Sequence, residues 1–249
     1  MNNIFLFDID GTLSKDRIIP ASAKEALKMI RAKGDYCLLA TGRCLGQMTD
    51  ILTQIDVDGA IMQNGGYSVI KGKTISKYPI PKEAILSLIK DGYKVALLTK
   101  SNYARIEDDK IFKEFADYFK IPMAEYKSLD ILNEEIYSLG VYTYNPEKLD
   151  KSKYKDLDFV LVAPLGFDVI KKGINKSSPI KDLRIMYPNA KIISFGDNYN
   201  DIEMLKASDV AIVMPTAPEK VKECATFVTK DVFEDGILYA VKEYLKYEN

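Results

Sequence analysis

The chain of 249 residues contains no histidine. Histidine-based triads, histidine zinc sites and imidazole proton shuttles are therefore excluded, and any general acid or base must be a carboxylate, Lys, Tyr or Cys. Hard oxygen ligands then favour Mg²⁺ over zinc. Cysteine is scarce as well: Cys37, Cys44 and Cys224 make no CxxC pair, so neither a disulfide framework nor a cysteine zinc site is indicated. No apolar stretch approaches the ~20 residues that span a bilayer, and the start lacks a basic segment followed by an apolar signal core. A cytoplasmic location is expected. Net charge is small, formally -1, with Lys and Arg dispersed, so neither nucleic acid nor an anionic membrane is an expected partner. Internal repeats at a fixed period and low-complexity segments are also missing.

What is present is ample core material, with 47% hydrophobic residues, enough for one large domain or two modest ones. Ile4 to Phe7 is a short run apolar on both faces, the pattern of a central parallel strand. Ser22 and Glu25 have capping-box spacing for a helix through Lys33, closed by Gly34. Tyr36 to Ala40 supplies the next strand and completes a βαβ unit. A helix from Cys44 to Gln54, a strand at Ala60 to Met62 and a hairpin of Tyr67 to Ile70 with Thr74 to Tyr78 follow. At Pro79 the texture changes. Residues 79–171 are expected to form an inserted α/β domain of two βαβ-like units, with helices at Pro81 to Lys90, Lys110 to Phe119 and Pro146 to Lys153. Residues 1–78 and 172–249 are expected to form one doubly wound parallel-sheet core, closing with strands at Lys191 to Phe195 and Val210 to Met214.

Polar residues stand at the carboxyl ends of the predicted core strands or beside them: Asp8 and Asp10 in FDIDGT, Thr41 in LLATGR, Lys176 in GINKSS, Asp197 in SFGDNYND. Open α/β sheets bind ligands at that edge. Two carboxylates at the mouth of a buried strand need a cation, or one must stay protonated. Each residue alone has a plainer reading: DxDG as a turn, Thr41 as a helix cap, Lys176 as solvated surface, Asp197 or Asp201 as a cap of the helix starting near Asn200. Together they suit phosphoryl transfer, which needs a metal ion, a Lys, hydroxyl or amide donors and a carboxylate nucleophile. Gly66 with Gly72, Lys73 and Thr74 imitates a phosphate-binding loop, but five residues separate the glycines where that motif has four. A hairpin turn is the preferred reading.

FDIDGT, LLATGR, GINKSSPIKDL and FGDNYNDIEML resemble, in that order, the four motifs of the haloacid dehalogenase superfamily. The position of the insertion resembles the Cof-type sugar phosphatases with a type IIB cap. That resemblance implies a Mg²⁺-dependent phosphatase for a small phosphorylated metabolite, a sugar phosphate; a monomer or weak homo-oligomer is expected. The resemblance implies Asp8 as nucleophile and Asp10 as acid and then base. Thr41, the Gly42 amide and Lys176 hold the phosphoryl oxygens; Asp8, the Asp10 carbonyl and Asp197 hold the metal, with Asp201 acting through water. Asn200 is assigned to orient Lys176 or the phosphate. Arg43, and Asn64 before Gly65 and Gly66, are read as shaping the entrance, and Tyr103, Arg105 and Tyr144 as cap candidates for substrate contact. Competing readings are a phosphosugar mutase using the same phospho-Asp8, and a receiver-like phospho-signalling protein.

Overall fold

In the computed structural model, residues 3–119 and 121–246 are described. The strands in chain order are β1 (Ile4–Phe7), β2 (Tyr36–Ala40), β3 (Gly59–Met62), β4 (Tyr67–Ile70), β5 (Lys73–Lys77), β6 (Lys94–Leu98), β7 (Tyr103–Arg105), β8 (Glu125–Tyr126), β9 (Ser138–Tyr142), β10 (Leu157–Ala163), β11 (Gly166–Lys171), β12 (Ile192–Gly196), β13 (Val210–Val213) and β14 (Phe227–Val228). They form two sheets, ordered β14-β13-β12-β1-β2-β3-β4-β5 and β10-β11-β9-β6-β7-β8. The chain divides into two compact units: residues 1–42, 49–76 and 175–249, and residues 43–48 and 77–174.

The first sheet is parallel from β14 through β3, and β4 then turns back antiparallel on β3. β1 is central, with Phe7 level with Phe195 on one side and Leu39 on the other. All four β1 side chains are buried, as a strand covered on both faces requires. Ile4 and Leu6 pack with Leu38, Ala40, Ile61 and Ile192 on one face. On the alternate positions the Phe7 and Phe195 rings stack with centroids 4.8 Å apart. Each such buried side chain is worth about 1.5–3 kcal/mol. The helix Ala21–Ala32 has Pro20 at its N-cap with no side-chain cap, so Ser22 lies within the helix rather than opening it. Proline's preset φ starts the helix one residue before the expected cap.

The expected helix from Cys44 to Gln54 is not continuous. A 3-10 turn at Leu45–Gln47 precedes a short helix at Thr49–Leu52. The Leu45 and Gly46 amides donate to the carbonyls of Lys100 and Ser101, which explains why Arg43–Met48 belongs with the second unit rather than with the core where the sequence placed it. The boundaries also fall slightly away from 78 and 172: Lys77 pairs with Glu135 at 2.8 Å, and the Lys172 and Gly173 amides donate to the Asp156 carbonyl and the Asp158 carboxylate.

The second sheet corrects the expectation of two βαβ-like units. Only β7 and β8 run parallel, joined through the helix Lys110–Phe119; the other pairings are antiparallel. Connections such as Thr99–Asn102 and Pro164–Leu165 are far shorter than the dozen residues a parallel crossover needs. The helix expected over Pro146 to Lys153 consists of two 3-10 turns, Pro146–Lys148 and Lys151–Lys153. Side-chain alternation separates two clusters across this sheet. Val95, Leu97, Leu139 and Val141 pack with Ile85 and Leu88 of the helix Lys82–Lys90. Ala96 and Tyr142 pack with Ile111, Phe112 and Phe115. The cap candidates are engaged locally: Tyr103 shares a hydroxyl hydrogen bond with Tyr142 at 2.9 Å, Arg105 donates to the Ala124 carbonyl and pairs with Asp108, and Tyr144 donates to Glu114.

One group in this unit works against stability at neutral pH. Burial pushes the Asp168 carboxyl from 3.8 up to about 6. A raised acid favours the folded state fully below the unfolded pKa, and that benefit is lost as pH rises through about 6. The full shift corresponds to about 3 kcal/mol, and the side chain still sees some solvent, which lowers the figure to about 1–2 kcal/mol. Asp168→Asn is therefore expected to raise Tm by about 2–8 °C at pH 7.5, with a smaller gain at pH 5. Thermal melts at both pH values check this; an equal gain at both would reject charge burial as its cause.

Candidate active site

Because β1, β12 and β2 lie side by side in parallel, the residues that follow them emerge at one sheet edge. The chain leaves β1 towards β2 and leaves β12 towards β13, so β1 and β12 flank the point where crossovers diverge, the crevice in which such sheets hold ligands. Asp8 follows β1 and Asp197 follows β12 there. Strand extension ends at Phe7: the Leu13 and Ser14 amides turn back to the Ile9 carbonyl. Asp8 is buried whereas Asp10 is exposed, so the two carboxylates have different surroundings.

The loop Asn175–Ser178 carries Lys176 into this crevice. Asn175 Oδ1 accepts from the Ser177 amide and hydroxyl, and Ser178 Oγ accepts from the Asn175 amide. The Lys176 side chain is only 1% exposed, and its Nζ donates to Asp8 Oδ1 at 2.5 Å and Asp201 Oδ1 at 2.7 Å. A buried ammonium is tolerable only with such partners. Burial works against the charged lysine, but Asp201 and Asp8 outweigh it and hold its pKa above the usual range. Asp201 does more than sequence suggested: its Oδ2 also accepts from the Asp197 and Asn198 amides, fixing the turn that presents Asp197. Thr12, which the sequence reading did not assign, donates its hydroxyl to Asp197 Oδ1 at 2.8 Å. Its position directly after FDIDG was the available signal.

Asp8, Asp197 and Asp201 each offer a carboxylate oxygen within 4.8 Å of the others. Burial pushes the Asp8 carboxyl well up; Lys176 opposes this, and Asp201 and Asp197 add to it. Burial also raises Asp197, against the Thr12 hydrogen bond. Asp8 and Asp197 thus bring two carboxyls, each raised by burial, into one small space. Two such carboxyls must share either a proton or a cation. An all-oxygen donor set with surplus negative charge fits a hard divalent ion such as Mg²⁺.

Thr41 follows β2, buried, its amide donating to the Ile61 carbonyl, and Gly42 comes next. Asn200 is exposed in the 3-10 turn Tyr199–Asp201. The side chains bonded to the Lys176 ammonium are those of Asp8 and Asp201. Arg43 lies in the second unit and donates to the Gln47 carbonyl.

The sequence profile of the haloacid dehalogenase-like hydrolases matches residues 5–241. YkrA of Bacillus subtilis (strain 168) is 30% identical, the alignment covering 97% of each chain. A solved protein from Geobacillus kaustophilus HTA426 superposes with TM-score 0.91 at 28% identity, over 98% of this chain and 99% of that one. BT4131, described as a HAD subclass IIB sugar phosphatase, superposes with TM-score 0.80 at 28% identity over 98% and 99%. With the motifs matched across both halves of the core, the chain belongs to the haloacid dehalogenase-like hydrolase family and is a phosphatase of that family.

Proposed function

We propose that the chain hydrolyses a small phosphorylated metabolite, a sugar phosphate, through a phosphoryl group held transiently on Asp8. The observation that carries this reading is the buried Lys176 ammonium bonded to Asp8 at the mouth of β1. Asp8 Oδ attacks phosphorus while the bond to the leaving oxygen breaks, and Asp10 gives that oxygen its proton, releasing an alcohol. Asp10, now a carboxylate, takes a proton from water as the water oxygen attacks the same phosphorus. Inorganic phosphate leaves and Asp8 is restored. Lys176, Thr41 and the Gly42 amide hold the phosphoryl oxygens in both steps, so their charge meets preset donors. Mg²⁺, held by Asp8, the Asp10 carbonyl and Asp197, would neutralise phosphoryl charge. Asp201 supports the site by holding Lys176 and the Asp197 turn. The cap role of residues 79–171 belongs to the same proposal, as does the choice of sugar phosphates, which is supported by the likeness to BT4131, a sugar phosphatase.

A panel of phosphorylated metabolites, assayed with Mg²⁺ for free phosphate and for isomerised product, tests the reading. Free phosphate from sugar phosphates is expected, with activity lost in EDTA and restored by added Mg²⁺. Isomer formation without phosphate release would transfer the assignment to a mutase. Hydrolysis indifferent to EDTA would remove the metal from it.

A further inference from the structure

The turn after β3 is built at a conformational cost. Gln63 and Asn64 both adopt left-handed backbone, with φ of 50° and 51°, at about 1 kcal/mol or more apiece for residues with a side chain. The turn is wedged between two parts of the site. On one side the Asn64 amide donates to the Thr41 carbonyl at 3.0 Å. On the other, Gly65 packs so tightly that a methyl group there would collide with the Asn175 carbonyl and lie 3.3 Å from the Lys176 amide nitrogen. The spacing between the Thr41–Gly42 strand end and the lysine loop is thus set by this turn.

Within it, the Asn64 carboxamide lies over the Gly42 α-carbon. A methyl group at Gly42 would come within 3.1 Å of Asn64 Nδ2 and 3.4 Å of Oδ1. Oδ1 is buried with no hydrogen-bond partner, a burden of about 1–3 kcal/mol. Oδ1 can only accept and is therefore not itself the phosphoryl contact, but a strained residue with a buried orphan acceptor is a feature that stability does not select, and such features concentrate where a ligand is met. Nδ2 is a donor beside the main-chain amide already assigned to phosphoryl oxygens. A phosphoryl group has three anionic oxygens to satisfy, and a neutral carboxamide adds a donor without adding to the charge of the acidic cluster.

We propose that Asn64 is a further phosphoryl-contacting residue, whose Nδ2 donates to a phosphoryl oxygen of the substrate beside the Gly42 amide. The assignment rests on the phosphatase reading above and extends it to a residue outside the four motifs. Specificity for the phosphoryl end of the ligand is thereby shared between the strand end after β2 and the turn after β3.

The test measures inorganic phosphate binding to the full chain by calorimetry in the presence of Mg²⁺, with thermal melts alongside. Asn64→Gly accepts the left-handed backbone and keeps the main-chain bond to Thr41 while removing the carboxamide. Asn64→Asp also tolerates that backbone, but replaces the donor with a charged acceptor. Loss of a hydrogen bond to a charged group predicts about tenfold weaker phosphate binding in Asn64→Gly, and like-charge repulsion predicts about 100-fold or more in Asn64→Asp. Both variants are expected to melt within a few degrees of the wild type. Phosphate affinity within twofold of wild type in both, or tighter binding by Asn64→Asp than by Asn64→Gly, would overturn the contact. Wild-type protein that releases no phosphate from any sugar phosphate would instead reject the phosphatase reading, whatever the Asn64 variants do.

Discussion

Asp8→Asn is expected to lower phosphate release by about 10³-fold or more, while the protein melts at or above the wild-type temperature. The two halves of this result have separate causes. An amide is nearly the same size and shape as a carboxylate but has no anionic oxygen to attack phosphorus, so the covalent route closes; a ~10³-fold loss is about 4 kcal/mol of barrier. Stability moves the other way because Asp8 is buried in an environment that disfavours its charge. Replacing a disfavoured carboxylate by a neutral amide removes repulsion with Asp197 and Asp201, while Lys176 keeps Asp201 as a partner at 2.7 Å. Free-phosphate assays beside thermal melts distinguish lost chemistry from lost fold. Turnover within tenfold of wild type would rule out a phosphoryl group on Asp8.

The strand-end positions of Asp8, Thr41 and Asp197 were legible because each follows a short apolar run, and parallel neighbours bring their carboxyl ends to one edge. The same logic could not reveal the Lys176–Asp201 pair. That contact depends on how the loop before Ile180 passes beneath the turn before Ile202, and neither segment has a periodic pattern that records its partner. Asp201 was therefore read as a metal-side residue or helix cap, with no sign that its two oxygens also serve Lys176 and two main-chain amides. Strand direction in the second unit was lost for a related reason. Alternation identifies a strand but is the same read in either direction, and only connection length shows that β10 and β11 must be a hairpin. Arg43–Met48 shows the opposite failure: its local sequence suggests helix, but carbonyls of Lys100 and Ser101 engage two of its amides. The left-handed turn at Gln63 and Asn64 also escaped notice, since only the following glycines mark it in the sequence.

Lys176→Met gives the largest expected loss of stability. The substitution preserves much of the aliphatic stem but leaves Asp8 and Asp201, at 7% and 0% exposure, facing the vacated ammonium position. Breaking a buried ion pair by removing one partner costs about 3–5 kcal/mol, because the remaining charge is neither solvated nor paired. In a chain of this size that is a fall in Tm of about 6–20 °C. Phosphate release is expected to fall too, since Lys176 is assigned to the phosphoryl oxygens, so the single variant cannot apportion its effect between fold and chemistry. Adding Asp201→Asn can. The double variant removes a carboxylate left without its cation, and neighbouring groups in one network are strongly non-additive. Part of the lost Tm should return, reduced by the weaker hold of an amide on the Asp197 and Asn198 amides. Activity should not return, because no donor is restored to the phosphoryl site. A Lys176→Met protein that melts with the wild type would mean that Asp8 and Asp201 find another source of compensation, and the electrostatic account of the cluster would fall with it.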